Sequence, residues 1–137
     1  MVGVVIISHS EKIAEGIKEL AYEMAINAPI ATAGGTSDGQ IGTDLEKIIN
    51  AIKKVYSEDG VVILFDLGSA YNNAEMAVEC LPKTMQSRVE IIDVALVEGA
   101  ITAAVESSIN GSLEDIKMSL KSMKIGKISQ ENKGEIL

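Results

Sequence analysis

The sequence predicts an α/β domain with an open parallel sheet, and three observations carry that prediction. Two runs, Val2 to Ile7 and Val61 to Phe65, are continuously apolar and mostly β-branched, as strands covered on both faces must be. The segments between the strands place apolar residues at helical spacing with charges opposite them. Strand and helix alternate along the chain.

The elements follow in order. After the first strand, Ile13, Ile17, Leu20, Ala21 and Met24 form one helical face, and Lys12, Glu15, Lys18, Glu19 and Glu23 form the other. Ser8 and Glu11 have capping-box spacing, and Ser10 is an equally good cap. Asn27 and Pro29 end this helix. Ile30 to Ala33 is a short second strand, followed by the loop GGTSDGQIG. Thr43 and Glu46 suggest a capping box for a second helix with Leu45, Ile48, Ile49 and Ile52 inward. After a turn over Ser57 to Gly60 comes the third strand, which ends in Asp66-Leu67-Gly68-Ser69. A third helix over Ala70 to Leu81 is stopped by Pro82. Val89 to Val94 is less apolar and reads as an edge strand. Gly99 to Ile109 forms a fourth helix closed by Asn110-Gly111, and Ser112 caps a fifth with Ile116, Leu120 and Met123 inward.

Right-handed crossovers restrict the topology, and the most apolar strands belong in the middle. The expected order is 2-1-3-4, with helices on both faces. The domain is expected to span residues 1–125, with a loose polar tail over 126–137.

Composition narrows the function. Apolar residues make up 47% of the 137, enough for one core, but aromatics only 3%, so aliphatic side chains, alanine and methionine are assigned to it. The net charge is −8 and Arg88 is the sole arginine. That balance speaks against nucleic acid and anionic lipid as partners, and favours one that is basic at the contact. Cys80 stands alone, so neither an internal disulfide nor a thiolate metal site is expected, and it reads as a small buried residue near a helix end. The opening apolar run is too short to cross a bilayer and lacks the basic flank of a signal peptide. A cytoplasmic protein without metal or cofactor is expected.

The one histidine, His9, stands where the first strand ends. In open α/β sheets the binding crevice lies beyond the carboxyl ends of the strands, where the strand order reverses. With the order 2-1-3-4, His9 and Asp66 flank that crevice and the glycine-rich loop joins its rim. An imidazole is a nucleophile through one nitrogen when the other carries the proton, and a carboxylate can hold that proton in place. The helix start beside His9 offers N–H groups to an anion. His9 and Asp66 are therefore the candidate catalytic pair, and Ser8, Ser10, Gly35, Thr36, Gly68 and Ser69 the candidate phosphoryl-binding residues. Lys12 is the nearby base. The same positions have plainer readings: a polar loop histidine, an aspartate or serine capping the next helix, and glycines that only shape a turn.

Taken together, VVIISHSEKIAEGI, ATAGGTSDGQIGTDLEKI and VVILFDLGSAYNNAEMA resemble the phosphoryl-donor subunits of phosphoenolpyruvate-dependent dihydroxyacetone kinases, which group with the mannose-type enzyme IIA domains of the sugar phosphotransferase system. The resemblance runs to about residue 123. It implies that His9 is transiently phosphorylated beside Asp66. It implies a donor, the histidine phosphocarrier protein, and an acceptor, ADP held on a partner subunit of the kinase. It also implies a cytoplasmic homodimer acting as a phosphotransferase. The turn DLGSA is shorter than in the sugar-transporter branch and favours the dihydroxyacetone branch. The alternative is a mannose-type transporter component that passes the group to an enzyme IIB protein. A nucleotide- or flavin-binding module is the reading from a different class. A response-regulator receiver lacks support, because its acidic pair after the first strand is replaced by Ser8-His9-Ser10.

Overall fold

Four strands, β1 (Gly3–Ser8), β2 (Ile30–Gly34), β3 (Val61–Phe65) and β4 (Val89–Ile91), pair in parallel in the order β2-β1-β3-β4 in a computed structural model that describes residues 1–128. The expected topology is thus the observed one. The helices are α1 (Glu11–Met24), α2 (Leu45–Val55), α3 (Ala70–Glu79), α4 (Lys83–Gln86), α5 (Leu96–Ser108) and α6 (Leu113–Leu120), with a final 3₁₀ turn over Lys121–Met123.

Alternation along β1 explains its unbroken apolar run. Val4 and Ile6 pack with Ala14, Ile17 and Ala21 of α1 and Ala100, Ala103 and Ala104 of α5. Val5 and Ile7 pack on the other face with Ile48 and Ile52 of α2 and Ala70, Ala74 and Ala77 of α3. The alanines let the helices lie close on the sheet, which is how a core with few aromatics is filled. Among the described residues no helix is long and apolar enough to cross a membrane.

Several local expectations are corrected. β4 ends at Ile91 rather than Val94: the Ile92 N–H still donates to the Ile63 carbonyl at 2.9 Å, and the chain then leaves the sheet. Gly99 does not start α5 but lies inside it, where an added Cβ would come within 2.8 Å of the Val94 side chain. α3 ends at Glu79, short of the expected Leu81, and Pro82 is the N-cap of the one-turn α4. The cap of α2 is Asp44, which accepts the Glu46 and Lys47 N–H groups, while Thr43 accepts from Asn73 of α3 at 2.6 Å. Ile13, Leu20 and Met24 of α1 are 51%, 47% and 66% exposed, because α1 meets the sheet along the narrower line of Ala14, Ile17 and Ala21. Met76 and Met118 are exposed too, as is Cys80, so neither methionine nor the cysteine belongs to the core.

Of the segment expected to form a tail, residues 126–128 lie against the sheet: the Ile128 N–H donates to Asp93 Oδ2 at 2.9 Å. Residues 129–137 fall outside the described residues.

Backbone also approaches closely at Gly34, the last residue of β2. A Cβ there would stand 2.7 Å from Glu11 Cα and 2.9 Å from the Ser10 carbonyl oxygen, at the very start of α1. Gly34→Ala is expected to destabilise the fold by about 1–3 kcal/mol in urea unfolding, because the neighbours are backbone and cannot step aside. Gly16→Ala, on the open side of α1 with nothing within 4 Å, is expected instead to stabilise it by about 0.5–1 kcal/mol.

Candidate functional site

Parallel pairing of β1 and β3 sets Ile7 opposite Phe65, so Ser8 and His9 leave one strand beside Asp66 leaving the other. Asp66 is tied to that place by its own backbone N–H, which donates to the Ile7 carbonyl at 3.1 Å. Its carboxylate then gathers the site. Oδ2 accepts the Ser8 hydroxyl and the His9 backbone N–H, each at 2.9 Å. Oδ1 accepts the Leu67 N–H at 2.6 Å and faces His9 Nδ1 at 2.9 Å. Partial burial pushes the Asp66 carboxyl up, but the His9 N–H, the His9 ring, the Leu67 N–H and the Ser8 hydroxyl outweigh it and hold the group below the ordinary range.

The tautomer follows from this geometry. An ionised carboxylate only accepts, so Nδ1 carries the proton and donates it to Asp66. Nε2 is left with its lone pair and accepts the Ser69 hydroxyl at 2.9 Å. Ser69 stands at the N-cap of α3 but makes no cap bond, its oxygen being turned to the imidazole. The Gly68 and Ser69 N–H groups, just ahead of α3, make no hydrogen bond among the described residues. Side chains of His9 and Asp66 are 20% and 19% exposed, so the ring lies at the surface rather than in the interior.

The remaining expected residues divide into two groups. Ser8 is fully buried; besides holding Asp66, its oxygen accepts the Ser10 N–H at 3.0 Å. Ser10 caps α1 by accepting the Ile13 N–H, which settles the choice between the two serines. Gly35 and Thr36 make their hydrogen bonds to the end of β1 and within the loop. The Gly35 N–H donates to the Ser8 carbonyl at φ +71°, and Thr36 exchanges hydrogen bonds with Asp38 and Gln40. The loop reaches His9 by another route, the Gly42 N–H to the His9 carbonyl at 2.8 Å.

A residue that sequence reasoning passes over also stands here. The Lys127 ammonium donates to the Phe65 carbonyl and lies 4.3 Å from the centroid of the Phe65 ring. Three apolar side chains are well exposed: Ile13, four residues after His9, Leu67, next to Asp66, and Ile41, next to the Gly42 that bonds the His9 carbonyl, at 51%, 58% and 76%.

The arrangement can hold a neutral imidazole with one nitrogen free, balance positive charge on it, and offer N–H and O–H donors to an anion at Nε2. Comparison with known proteins points the same way. Residues 3–117 match the family model described as the PTS system fructose IIA component. The phosphoryl donor subunit DhaM of PEP-dependent dihydroxyacetone kinase 2 from Listeria innocua is 41% identical over 121 residues, 88% of this chain and 97% of that one. The phosphotransferase subunit DhaM of a PTS-dependent dihydroxyacetone kinase from Lactococcus lactis is 38% identical, covering 91% and 98% of the two chains. The DhaM of Escherichia coli K12 is also 38% identical, but the match takes up 25% of its length. A crystal structure of a protein of unknown function superposes with a TM-score of 0.80 at 33% identity, over 91% of this chain and 97% of that one. A sigma-54 interaction domain protein from Enterococcus faecalis shares the fold, with a TM-score of 0.65 at 19% identity over 96% of each chain.

The hydrogen bonds on Asp66 make a testable contribution to stability. Its native carboxyl titrates below that of an unfolded aspartate, about 3.9. The stabilisation is therefore complete above the unfolded value and is lost as pH falls through the depressed native value. Asp66→Asn is expected to be less stable than the wild type by about 1–3 kcal/mol at pH 7. In urea titrations the gap should close below about pH 4. Asp38 and Asp115, whose carboxyls are also held low, titrate in both proteins and cancel.

Proposed function

We propose, from the premise that this chain belongs to the PTS system fructose IIA component family, that it is a phosphohistidine relay protein serving a dihydroxyacetone kinase. The single observation that carries the reading is the His9 ring held between Asp66 at Nδ1 and Ser69 at Nε2.

The proposed donor is the phosphorylated histidine phosphocarrier protein. His9 Nε2 attacks phosphorus with its lone pair, and a P–N bond forms as the donor's P–N bond breaks. The leaving electron pair stays on the donor ring. His9 keeps the proton on Nδ1 and becomes an imidazolium, whose charge the Asp66 carboxylate balances. The Ser69 hydroxyl is released from Nε2 and turns to a phosphoryl oxygen, joined by the Gly68 and Ser69 N–H groups at the start of α3. In the second step a terminal oxygen of ADP on the partner subunit attacks the same phosphorus. The Nε2–P bond breaks and its electron pair returns to the ring. Both steps depend mainly on alignment and charge stabilisation.

The setting supports macromolecular partners. The exposed Ile13, Ile41 and Leu67 are apolar surface suited to contact with another protein. The net charge of −8 favours partners that are basic at the contact. The names of the similar proteins from Listeria and Lactococcus support the kinase as the system served. A cytoplasmic homodimer is part of the proposal, and the exposed Leu20 and Met24 of α1 offer surface for a second copy. The matched family description favours one further reading, a sugar-transporter component that passes the group to an enzyme IIB protein. Offering the phosphorylated chain to each acceptor separates the two.

In a relay reconstituted from phosphoenolpyruvate, His9→Ala is expected to take no acid-labile label, and label persisting on that variant would refute the assignment. Asp66→Asn should fold and be labelled about a hundredfold more slowly. Ser69→Ala should cost about tenfold, the loss of one donor to the phosphoryl group.

A further inference from the structure

The end of β3 has lost its strand partner on one side. Ile63 still receives the Ile92 N–H, but β4 is too short to reach Phe65, whose carbonyl lies two residues further on. Lys127 takes the place of the missing strand N–H by donating to that carbonyl, and its ammonium also rests on the Phe65 ring. The segment that carries it is fixed by three further contacts. Lys124 bridges Val94, the Ala95 N–H donates to the Met123 carbonyl at 3.0 Å, and the Ile128 N–H donates to Asp93 Oδ2 at 2.9 Å. Asp93 Oδ1 is buried with no hydrogen-bond partner among the described residues, an arrangement that calls for positive charge nearby.

We propose that Lys127 is a positioning residue for phosphoryl transfer: it anchors the Phe65–Asp66 peptide and sets a fixed positive charge behind Asp66, keeping that carboxylate ionised and aimed at His9 Nδ1. The proposal rests on the reading of His9 as the phosphoryl carrier. Lys127 exchanges no proton and touches no reacting atom. It acts through the peptide from which Asp66 hangs, and through its charge. Burial pushes the Lys127 ammonium down, while Asp93 and Asp66 pull it back up, so its charge is coupled to both carboxylates. The other groups around this cluster are His9, beyond β1, and Tyr71 of α3, whose ring tilts against Phe65 at 6.1 Å and whose hydroxyl donates to Glu75.

The test uses the full chain and two readouts. One is the titration of the Asp66 carboxyl followed by carbon NMR; the other is the pH dependence of the rate at which His9 is labelled. Lys127→Met is expected to move the Asp66 midpoint upward by about one pH unit, and the acid limb of the rate in the same direction. Lys127→Arg should restore both. Because Lys127→Met also removes positive charge that acts on Asp93, the double variant Lys127→Met with Asp93→Asn is measured alongside and should show the same upward shift. A midpoint and limb that stay put in labelled protein overturn the role of Lys127. So does a rate lost equally in the Met and Arg variants with the profile unmoved, which would make the residue an anchor and nothing more. A wild-type chain that takes no phosphoryl group overturns the relay reading itself, whereas the carboxyl titration reports on Lys127 independently.

Discussion

The Asp66 carboxylate is the interaction on which this molecule turns. It receives a hydroxyl from Ser8, two N–H groups from the backbone of His9 and Leu67, and the ring proton of His9. Bonds of this charge-assisted kind are worth about 1.5–3 kcal/mol each before the cost of desolvating the carboxylate is counted. They exist because β1 and β3 pair in parallel with Ile7 opposite Phe65. A slip of one residue would reverse the faces of β1, exchanging Val4 and Ile6 for Val5 and Ile7, and would leave the carboxylate facing the wrong part of the turn. The two apolar clusters therefore fix the register, and the register fixes the chemistry.

Much of this was legible because it depends on periodicity and on topology. Continuous β-branched runs identify strands covered on both faces, and right-handed crossovers leave few orders to choose from. Once β1 and β3 are central neighbours, His9 and Asp66 have to meet. What sequence could not supply was the sharing of individual polar groups. Ser69, Thr43 and Ser8 all look like caps, yet each turns to a tertiary partner: His9, Asn73 and Asp66 respectively. A cap is one hydrogen bond among competing ones, and only three-dimensional proximity decides which is made. The exposed methionines mislead for a related reason, since helical spacing marks an apolar face without saying whether anything covers it.

Lys127 was invisible for another reason. It belongs to a polar segment with no periodicity, and its partner is a backbone carbonyl more than sixty positions earlier. A signal did exist, though an indirect one. The fourth strand becomes polar early, at Glu90 and Asp93, while the third stays apolar through Phe65. A central strand that outruns its neighbour leaves backbone groups that some other part of the chain must satisfy.

The makeup of the site also bears on what a relay has to do. A site that gripped the phosphoryl group with arginines would hold it well and release it poorly, because tight binding of the intermediate deepens the well from which the next transfer must climb. Here the donor the structure places on Nε2 is the Ser69 hydroxyl, and Lys127 is bound to the Phe65 carbonyl. In the proposed transfer the carboxylate stabilises the imidazolium, which is the form that leaves easily when phosphorus is attacked from the far side. Charge is thus placed on the ring and withheld from the cargo. In the relay proposed for this chain, that division lets one histidine act as acceptor toward one protein and donor toward the next.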